Sequence, residues 1–322
     1  MNRAAAASVT FALPAASLAA VRTLVKPVEI GLIADLHYDI MHDGDARLGA
    51  FVQAMSARTP DAIVQLGDFA YPSAKNSSCI DRFNAAHAKS LHVIGNHDTD
   101  AGFTKSDCIE QWGMPGRYYA CDIGGLHLLV LDGNDPGSPT HKGGYATFVG
   151  EEQVEWLKTQ LAALDGPIIV ASHQPLAGAY AVDNAELLQS ILGEAADKVV
   201  LAINGHSHID EVVRVQHVTY VHVNSASYKW VGGDYRHQSY AEEIHAAHPT
   251  ISYTCPYRDA LFAVLSVDPR THTIRIQGQS SSWVGKSPAE LGLDMHPNLI
   301  SGEQIAPRIR DREIIRVEPI TG

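Results

Sequence analysis

The stretch VIGNHDTD, from Val93 to Asp100, joins an apolar run to a series of polar side chains in a way that a turn alone does not explain. Gly95 and Asn96 are typical turn residues, because both tolerate unusual backbone angles. A turn has no need for an imidazole and a carboxylate directly after them, at His97 and Asp98. The stretch therefore predicts a strand end that carries chemical function.

The same arrangement recurs at four other places between residues 28 and 208. Short apolar runs rich in β-branched residues end in a polar cluster, as in VEIGLIADLH, DAIVQLGD, PIIVASHQP and VVLAINGHSH. Runs of this length, bounded by Gly, Pro or Asp, predict buried strands. Several are followed by segments with helical periodicity, such as EEQVEWLKTQL. Alternating strands and helices predict an α/β fold, in which ligands gather beyond the carboxyl ends of the strands.

Further apolar runs predict a second sheet. They are LHLLVLD, VTYVHVNSAS, LFAVLSVD and TIRIQG. From about residue 278 the sequence is rich in loop-forming residues, and REIIRVEPI near the end predicts an edge strand. The sequence has no internal repeat and no low-complexity linker. We therefore expect one main domain over residues 27–278, followed by a loop-rich C-terminal extension over residues 279–322.

The composition restricts the classes of partner. The chain is 45% hydrophobic, but its body contains no apolar run long enough for a transmembrane segment. Its formal net charge of -12 and the absence of Lys/Arg runs argue against a surface that coats nucleic acid. A small phosphate ester remains compatible with an acidic protein, because bound metal ions invert the local charge.

Residues 1–26, MNRAAAASVTFALPAASLAAVRTLVK, resemble a bacterial secretory signal, since Arg3 precedes an Ala-rich apolar stretch. The alternative is an Ala-rich N-terminal extension of a cytoplasmic protein. Four cysteines fit either an exported protein with a disulfide or a core with buried free thiols. They are Cys79, Cys108, Cys121 and Cys255. We expect export to the periplasm or the extracellular space.

The polar residues at the predicted strand ends combine carboxylates, imidazoles and one amide, without any thiolate. Such a set suits zinc, manganese, iron, nickel or cobalt. Any member alone is an ordinary turn or surface residue. Together, at the ends of neighbouring strands, they predict a metal site. The members are Asp35, His37, Asp68, Asn96, His97, Asp98, His173, His206 and His208.

The order DLH, GD, GNHD, SHQP and GHSH resembles the motifs of the calcineurin-like metallophosphoesterases over roughly residues 28–270. The resemblance implies a four-layer αββα sandwich, in which two mixed β-sheets are flanked by helices. It also implies a centre of two divalent transition-metal ions. By motif position, Asp35, His37 and His208 would bind one metal, Asn96, His173 and His206 the other. Asp68 would bridge the two metals.

The resemblance also implies a mechanism, the hydrolysis of phosphate monoesters or diesters by a hydroxide that bridges the two metals. His97 would face the substrate and donate a proton to the leaving group, and Asp98 would orient its imidazole. Gly95 would let the backbone turn tightly between these side chains. The predicted partner is therefore a small phosphate ester.

Several alternatives remain at this level. GDFAY places Tyr71 three residues after Asp68, as in the purple acid phosphatases, whose tyrosine ligates ferric iron. Because His37 is present here, we predict that Tyr71 is a pocket or packing residue. The Arg that often follows GNHD in the cyclic-nucleotide branch is missing. The alternative functions are a non-catalytic scaffold with the same fold and a hydrolase of nucleotide pyrophosphates or lipid diesters. The complete set of ligands favours catalysis over the scaffold.

Two further predictions concern residues outside the five motifs. NSASYKW, which follows a predicted strand, either brings Asn224 or Tyr228 to the rim of the pocket or forms a packed turn with a buried aromatic side chain. The remaining histidines singled out in the sequence are predicted to lie on the surface or in loops. They are His42, His141, His222, His237, His245 and His248.

Overall fold

The computed structural model describes residues 19–293 and 296–314, together with the backbone of residues 9–11. Most of the predicted secretory signal and the last six residues of REIIRVEPI lie outside these residues. Within them, Val9–Phe11 pairs in parallel with Arg312–Ile314. The segment predicted as an edge strand is therefore flanked by a strand on each side. Export stays a prediction.

The first sheet carries the first three motifs. Its strands, in spatial order, are β1 (Val9–Phe11), β15 (Arg312–Ile314), β14 (Thr273–Gln277), β13 (Ala263–Asp268), β2 (Val28–Ile33), β3 (Ala62–Gln65) and β4 (Ser90–His92). β2, β3 and β4 are parallel, whereas β13 is antiparallel to β2. The carboxyl ends of the three parallel strands therefore meet at one edge of the sheet.

The second sheet carries the last two motifs. Its strands, in spatial order, are β5 (Tyr119–Ile123), β6 (Leu126–Val130), β7 (Ile168–Ser172), β8 (Val199–Asn204), β10 (Val218–His222) and β9 (Glu211–Val215). The four central strands are parallel, and the outer strands β5 and β9 are antiparallel to their neighbours. A separate two-stranded ribbon pairs β11 (Tyr228–Trp230) with β12 (Thr254–Pro256).

The prediction of two mixed sheets is confirmed, but the predicted division of strands between them is wrong. LFAVLSVD and TIRIQG belong to the first sheet, as β13 and β14, and not to the second. β7 and β8, expected in one largely parallel sheet with β2, β3 and β4, lie in the second sheet instead. Apolar patterning identifies a strand but says nothing about a pairing partner that is more than 200 residues away in the chain, as Ala263 is from Leu32.

Helices cover the outer faces of both sheets. They are α1 (Gly44–Arg58), α2 (Ser77–Ala86), α3 (Lys105–Trp112), α4 (Glu151–Ala163) and α5 (Ala185–Glu194). A further helix, α6 (Glu242–Ala247), packs through Ile244 in a small cluster with Tyr228 of the β11–β12 ribbon. Short 3₁₀ helices span Ala74–Asn76, His97–Gly102, Gly233–Tyr235 and Pro249–Tyr253. Among the described helices, none combines the length and the apolar character needed to cross a lipid bilayer.

The strand β6 shows how the layers are packed. Its Leu128 belongs to the apolar cluster that also contains Ile30 of the first sheet and Phe51 of α1. The adjacent Leu129 points to the other face and packs in a second cluster with Leu157 of α4. Successive side chains of a strand face opposite sides of the sheet. The order of layers is therefore helix, sheet, sheet, helix, and the predicted four-layer αββα sandwich is confirmed.

The cysteines contribute to packing. Cys79, Cys108 and Cys255 are buried, Cys121 is partly exposed, and all four are free thiols. Burial, as the main cause, raises the pKa of Cys255 to about 12, which keeps its thiol protonated and unreactive. The alternative of free thiols is confirmed for this chain, and the disulfide is not.

The C-terminal extension is anchored to the loop after β8 by a buried carboxylate. Asp210 is fully buried and is paired with both Arg310 and Arg312. The guanidinium of Arg310 donates to Asp210 Oδ2 at 2.6 Å and to its carbonyl oxygen at 2.9 Å. Arg312 is itself only 4% exposed. The extension therefore holds the end of the fifth sequence motif, two residues after His208.

We predict that Asp210→Ala destabilises the protein by about 3–5 kcal/mol, because the substitution leaves the buried Arg312 without a counter-ion. Urea denaturation measures this loss. Asp268→Ala is the matched control, since Asp268 pairs with the exposed Arg270, and its effect should be much smaller. Equal stability losses in the two variants would contradict the anchoring role of Asp210.

Candidate metal centre

All seven predicted ligands lie directly after strands of the two sheets. Asp35 and His37 follow β2, Asp68 follows β3, and Asn96 follows β4. In the second sheet, His173 follows β7, and both His206 and His208 follow β8. The facing edges of the two sheets thus bring together side chains that are up to 173 positions apart in the chain.

The structure brings six of these residues into two clusters of possible ligand atoms. The first contains Asp35, His37 and His208, and the second contains Asp68, His173 and His206, with the ligand atoms of each cluster within 4.8 Å of one another. In the first cluster, His208 Nε2 lies 3.2 Å from His37 Nε2 and 3.1 Å from Asp35 Oδ1. The first cluster is the group that the sequence motifs predict, and the second contains Asp68 with two of the three ligands predicted for the other metal, His173 and His206.

Asp68 belongs to the second cluster and also approaches the first. Its Oδ2 is 3.2 Å from His173 Nε2 in the second cluster and 3.7 Å from His37 Nε2 in the first. A carboxylate that contacts both groups can share its oxygens between two cations. The position of Asp68 agrees with the bridging role that its motif predicts.

Asn96 supplies a neutral oxygen beside the second cluster. The backbone N–H of the next residue, His97, donates to Asp68 Oδ1 at 2.8 Å, which places Asn96 next to the bridging carboxylate. Asn96 is buried, and its Oδ1 has no hydrogen-bond partner among the described residues. Because an unpaired buried oxygen is costly, this atom is suited to bind a cation. The residues present therefore fit a two-metal centre.

Burial and the local carboxylates set the charges of the imidazoles. Burial, as the largest effect, holds the pKa of both His37 and His206 well below the usual range, so both imidazoles are neutral and able to bind a metal. Burial alone would also lower the pKa of His173, but the Asp68 carboxylate raises it to about 9. Metal binding at His173 must therefore displace a proton.

The backbone at the predicted ligands is strained. Five of the seven have positive φ angles, in the left-handed region that non-glycine residues avoid. They are Asp35 (51°), His37 (47°), Asp68 (51°), His206 (66°) and His208 (48°). Each such residue costs on the order of 1–3 kcal/mol, and clustering of this strain is typical of functional sites.

Three motif glycines allow the ligands to approach the backbone closely. A Cβ at Gly95 would lie 2.2 Å from Asp68 Oδ1, and one at Gly205 would lie 2.6 Å from Asp35 Oδ2. A Cβ at Gly67, whose φ is +94°, would lie 2.3 Å from His173 Nδ1. The φ angle of Gly95 is not positive, so this position does not require glycine for a left-handed backbone. Gly95 is needed for space beside Asp68.

The predicted role of Asp98 also requires correction. Its carboxylate accepts three backbone N–H groups, from Gly95 at 2.7 Å and from Asp68 and Phe69 at 2.8 Å each. No contact with the His97 imidazole is present. The carboxylate of Asp98 is fully committed to the backbone, and it positions the two motif loops rather than the imidazole of His97.

Asp100 is the carboxylate that contacts His97. Its Oδ2 lies 2.8 Å from His97 Nδ1, and the hydroxyl of Tyr145 lies 3.1 Å from the same nitrogen. Tyr145 also donates to Asp100 at 2.9 Å. Both residues escaped the sequence analysis. The second Asp of GNHDTD was a usable signal for Asp100, whereas nothing in the sequence connects Tyr145 with this site.

A cavity of about 210 Å³ opens beside the two clusters. It is lined by His37, Asp68, His97, Tyr180, His206, Ser207, His208, Tyr228, Lys229 and Trp230. Of the two residues predicted from NSASYKW, Tyr228 lines the cavity and stacks on His37, with ring centroids 4.8 Å apart. Asn224 instead donates to the carbonyls of Ala306 and Arg308 in the C-terminal extension.

Lys229 places a buried amine at this cavity. Its Nζ donates to the carbonyl of Ser207 at 2.7 Å, and burial lowers its pKa to about 7. Lys229, Tyr180 and Trp230 were not predicted as site residues. These residues follow no metal-ligand pattern, and only the fold brings them to the site.

Two other expectations concern residues near the site. Tyr71 packs against Phe103, with ring centroids 6.1 Å apart, and lines a small neighbouring cavity with His37 and Asp68. This geometry agrees with its predicted role as a pocket or packing residue. His222 was predicted at the surface, but it is fully buried and its Nδ1 lies 2.8 Å from Ser207 Oγ. It supports the loop between His206 and His208.

We predict that Gly95→Ala lowers the bound metal per chain to less than about half of the wild-type value, because the new methyl group displaces the Asp68 carboxylate. Elemental analysis by mass spectrometry measures the metal content. Gly116→Ala is the control, since its Cβ would meet only the carbonyl of Tyr118, at 3.3 Å. A Gly95→Ala protein with its full metal content would show that Asp68 is not held against this glycine.

Comparisons with known proteins agree with this site. Residues 28–210, more than half of the chain, match the model of the calcineurin-like phosphoesterase family. A cAMP/cGMP dual-specificity phosphodiesterase from Mycobacterium tuberculosis is 35% identical over 144 residues. That alignment covers 42% of this chain and 43% of the mycobacterial protein, so the match spans less than half of either chain.

Two solved structures share the fold at low sequence identity. A dimetal phosphatase from Danio rerio superposes with a TM-score of 0.55 at 15% identity, covering 78% of this chain and 95% of that chain. GAP50 of Plasmodium, described as the anchor in the inner membrane complex, gives a TM-score of 0.52 at 16% identity, covering 81% and 86%. These likenesses support the fold alone. With the family match over residues 28–210, they lead to one assignment: the chain belongs to the calcineurin-like phosphoesterase family.

Proposed function

We propose that this protein is a metal-dependent hydrolase of phosphate esters. The observation that carries the proposal is the contact of Asp68 with both ligand clusters, which creates adjoining sites for two divalent cations. The donor set of imidazoles, carboxylates and one amide supports manganese, iron, zinc, nickel or cobalt. When bound, two such ions supply an activated water and neutralise charge on the phosphoryl group.

His97 is the proposed proton donor to the leaving group. Its ring lies 5.5 Å from that of His37, at the edge of the first cluster, and it lines the cavity. Asp100 and Tyr145 contact Nδ1, which leaves Nε2 for the substrate. A side chain held in this way is positioned to protonate an oxygen as it departs from phosphorus.

The proposed substrates are phosphodiesters, with cyclic nucleotides first among those to be tested. The name of the mycobacterial relative supports this choice, although the Arg that often follows GNHD is missing here. A non-catalytic scaffold is less favoured, because it would have no need for two complete ligand clusters beside an oriented imidazole.

Removal of metal should abolish hydrolysis. We predict that dialysis against a chelator removes activity on bis(p-nitrophenyl) phosphate and lowers the melting temperature, because metal binding stabilises only the folded state. Manganese, zinc or cobalt should restore both properties. Calcium is the control, because this largely imidazole site offers fewer oxygen ligands than the roughly six to eight that calcium takes. Full activity in metal-free protein would exclude the proposed function.

A second prediction tests His97. His97→Ala should retain its metals but lose activity on an alkyl phosphate ester by about 10²–10⁴-fold, since an alkoxide needs a proton in the transition state. The loss on the matching p-nitrophenyl ester should be much smaller, because nitrophenolate is a stable anion. Initial rates on the two esters, measured together with metal content, distinguish loss of the proton donor from loss of the metals.

Asp68→Ala is the reference variant for this comparison, and it should fail on both esters with reduced metal content, because the bridge between the clusters is lost. If His97→Ala loses equal activity on both esters while its metals are intact, His97 is not the proton donor.

A further inference from the structure

The exposed aromatic side chains of this protein are concentrated at one place. Among the described residues, three large aromatic side chains are exposed, namely Tyr145 (45%), Tyr180 (38%) and Trp230 (41%). Tyr145 contacts His97, and the other two line the cavity beside the ligand clusters. Exposed apolar groups that surround a cleft are typical of a binding site.

Trp230 is held as a flat, rigid surface. Its ring stacks on Tyr253 with centroids 5.6 Å apart and an interplanar angle of 8°. The guanidinium of Arg236 lies 4.9 Å from the centroid of the Tyr253 ring, and the β11–β12 ribbon fixes the backbone of Trp230. One face of the indole is therefore already covered by protein, and the exposed remainder is free to stack on a planar group.

Tyr180 is presented to the cavity at a conformational cost. Its φ of +63° lies in the left-handed region, which is unusual for a bulky residue. Its ring lies 5.6 Å from that of His296 in the C-terminal extension and 5.7 Å from Lys229 Nζ. A strained, partly exposed tyrosine at a cleft points to a role in binding.

The lining of the cavity is also chemically mixed. It combines the predicted metal ligands and the amine of Lys229, which suit an anion, with the aromatic side chains of Tyr180 and Trp230. An occupant that fits both kinds of lining carries a phosphate group and a planar ring.

From this arrangement we infer that Trp230 and Tyr180 form a subsite for the base of a nucleotide substrate. The inference rests on the proposed phosphoesterase function and deepens it, because it names the residues that select the substrate. The phosphate would face the ligand clusters and Lys229, while the base would stack on the indole of Trp230.

The test compares two product-type probes that differ only in the base. Adenosine 5′-phosphate and ribose 5-phosphate are titrated into the metal-loaded protein by isothermal calorimetry. We expect the wild-type protein to bind adenosine 5′-phosphate at least about tenfold more tightly than ribose 5-phosphate, because stacking of a base on an aromatic side chain contributes an affinity gain of this size. Trp230→Leu should bring the ratio of affinities close to one without changing the affinity for ribose 5-phosphate.

Trp156→Leu is the matched control. Trp156 lies on α4 against Tyr118, with centroids 5.0 Å apart, and does not line the cavity, so its substitution should leave the ratio unchanged. Tyr180→Leu is a second variant, and it should lower the ratio of affinities in part. Thermal melting shows whether Trp230→Leu is folded. If that variant misfolds, Tyr180→Leu still tests the subsite.

Equal affinity of the wild-type protein for both probes would overturn the inference, and so would a ratio that Trp230→Leu leaves intact. These outcomes differ from failure of the proposed function, which would be the absence of metal-dependent hydrolysis of any phosphate ester. A protein that hydrolyses bis(p-nitrophenyl) phosphate but shows no preference for the base would keep its function and lose only this subsite.

Discussion

The carboxylate of Asp98 makes the hydrogen bonds on which the arrangement of the metal centre depends. By accepting the N–H groups of Gly95, Asp68 and Phe69, it joins the loops after β3 and β4. Those loops carry Asp68 and Asn96, which the motifs predict to bind the same cation. A buried carboxylate that accepts several backbone hydrogen bonds is well satisfied, so the join is local and rigid. The ligands are thereby brought together before any metal adds its own attraction.

The left-handed backbone at five predicted ligands can persist only because the surrounding structure holds it. Asp35 N–H donates to the carbonyl of Gly67 at 3.0 Å, and His37 N–H donates to that of Asp68 at 2.9 Å. Across the sheets, His206 N–H donates to the Asp35 carboxylate at 3.0 Å. Each of these hydrogen bonds links the ends of two strands. The two sheets therefore position one another at the site, and neither could form the clusters alone.

The sequence predicts which side chains form the site better than it predicts the contacts that hold those side chains in place. The ligands could be recognised because a metal requires particular side chains at strand ends, and because these occur in five short motifs. Asp98 was recognised, but its role was misassigned, since adjacency to His97 in the chain does not give the direction of a side chain. The sequence does not identify three aromatic residues at the site, Tyr145, Tyr180 and Trp230. Their stacking and hydrogen bonding do not require a recognisable motif of neighbouring residues. The assignment of β13 to the wrong sheet has a similar origin, since pairing partners are chosen by packing across the whole domain.

The anchor formed by Asp210, Arg310 and Arg312 has a consequence for biosynthesis. A buried carboxylate beside the last metal-binding motif is neutralised by residues that lie 100 and 102 positions later in the chain. A chain is made from its N-terminus and folds as segments emerge. During synthesis Asp210 therefore emerges well before its counter-ions. The loop that carries His206 and His208 is secured only when this later segment has emerged and packed against it, so the fold around the last motif is completed late.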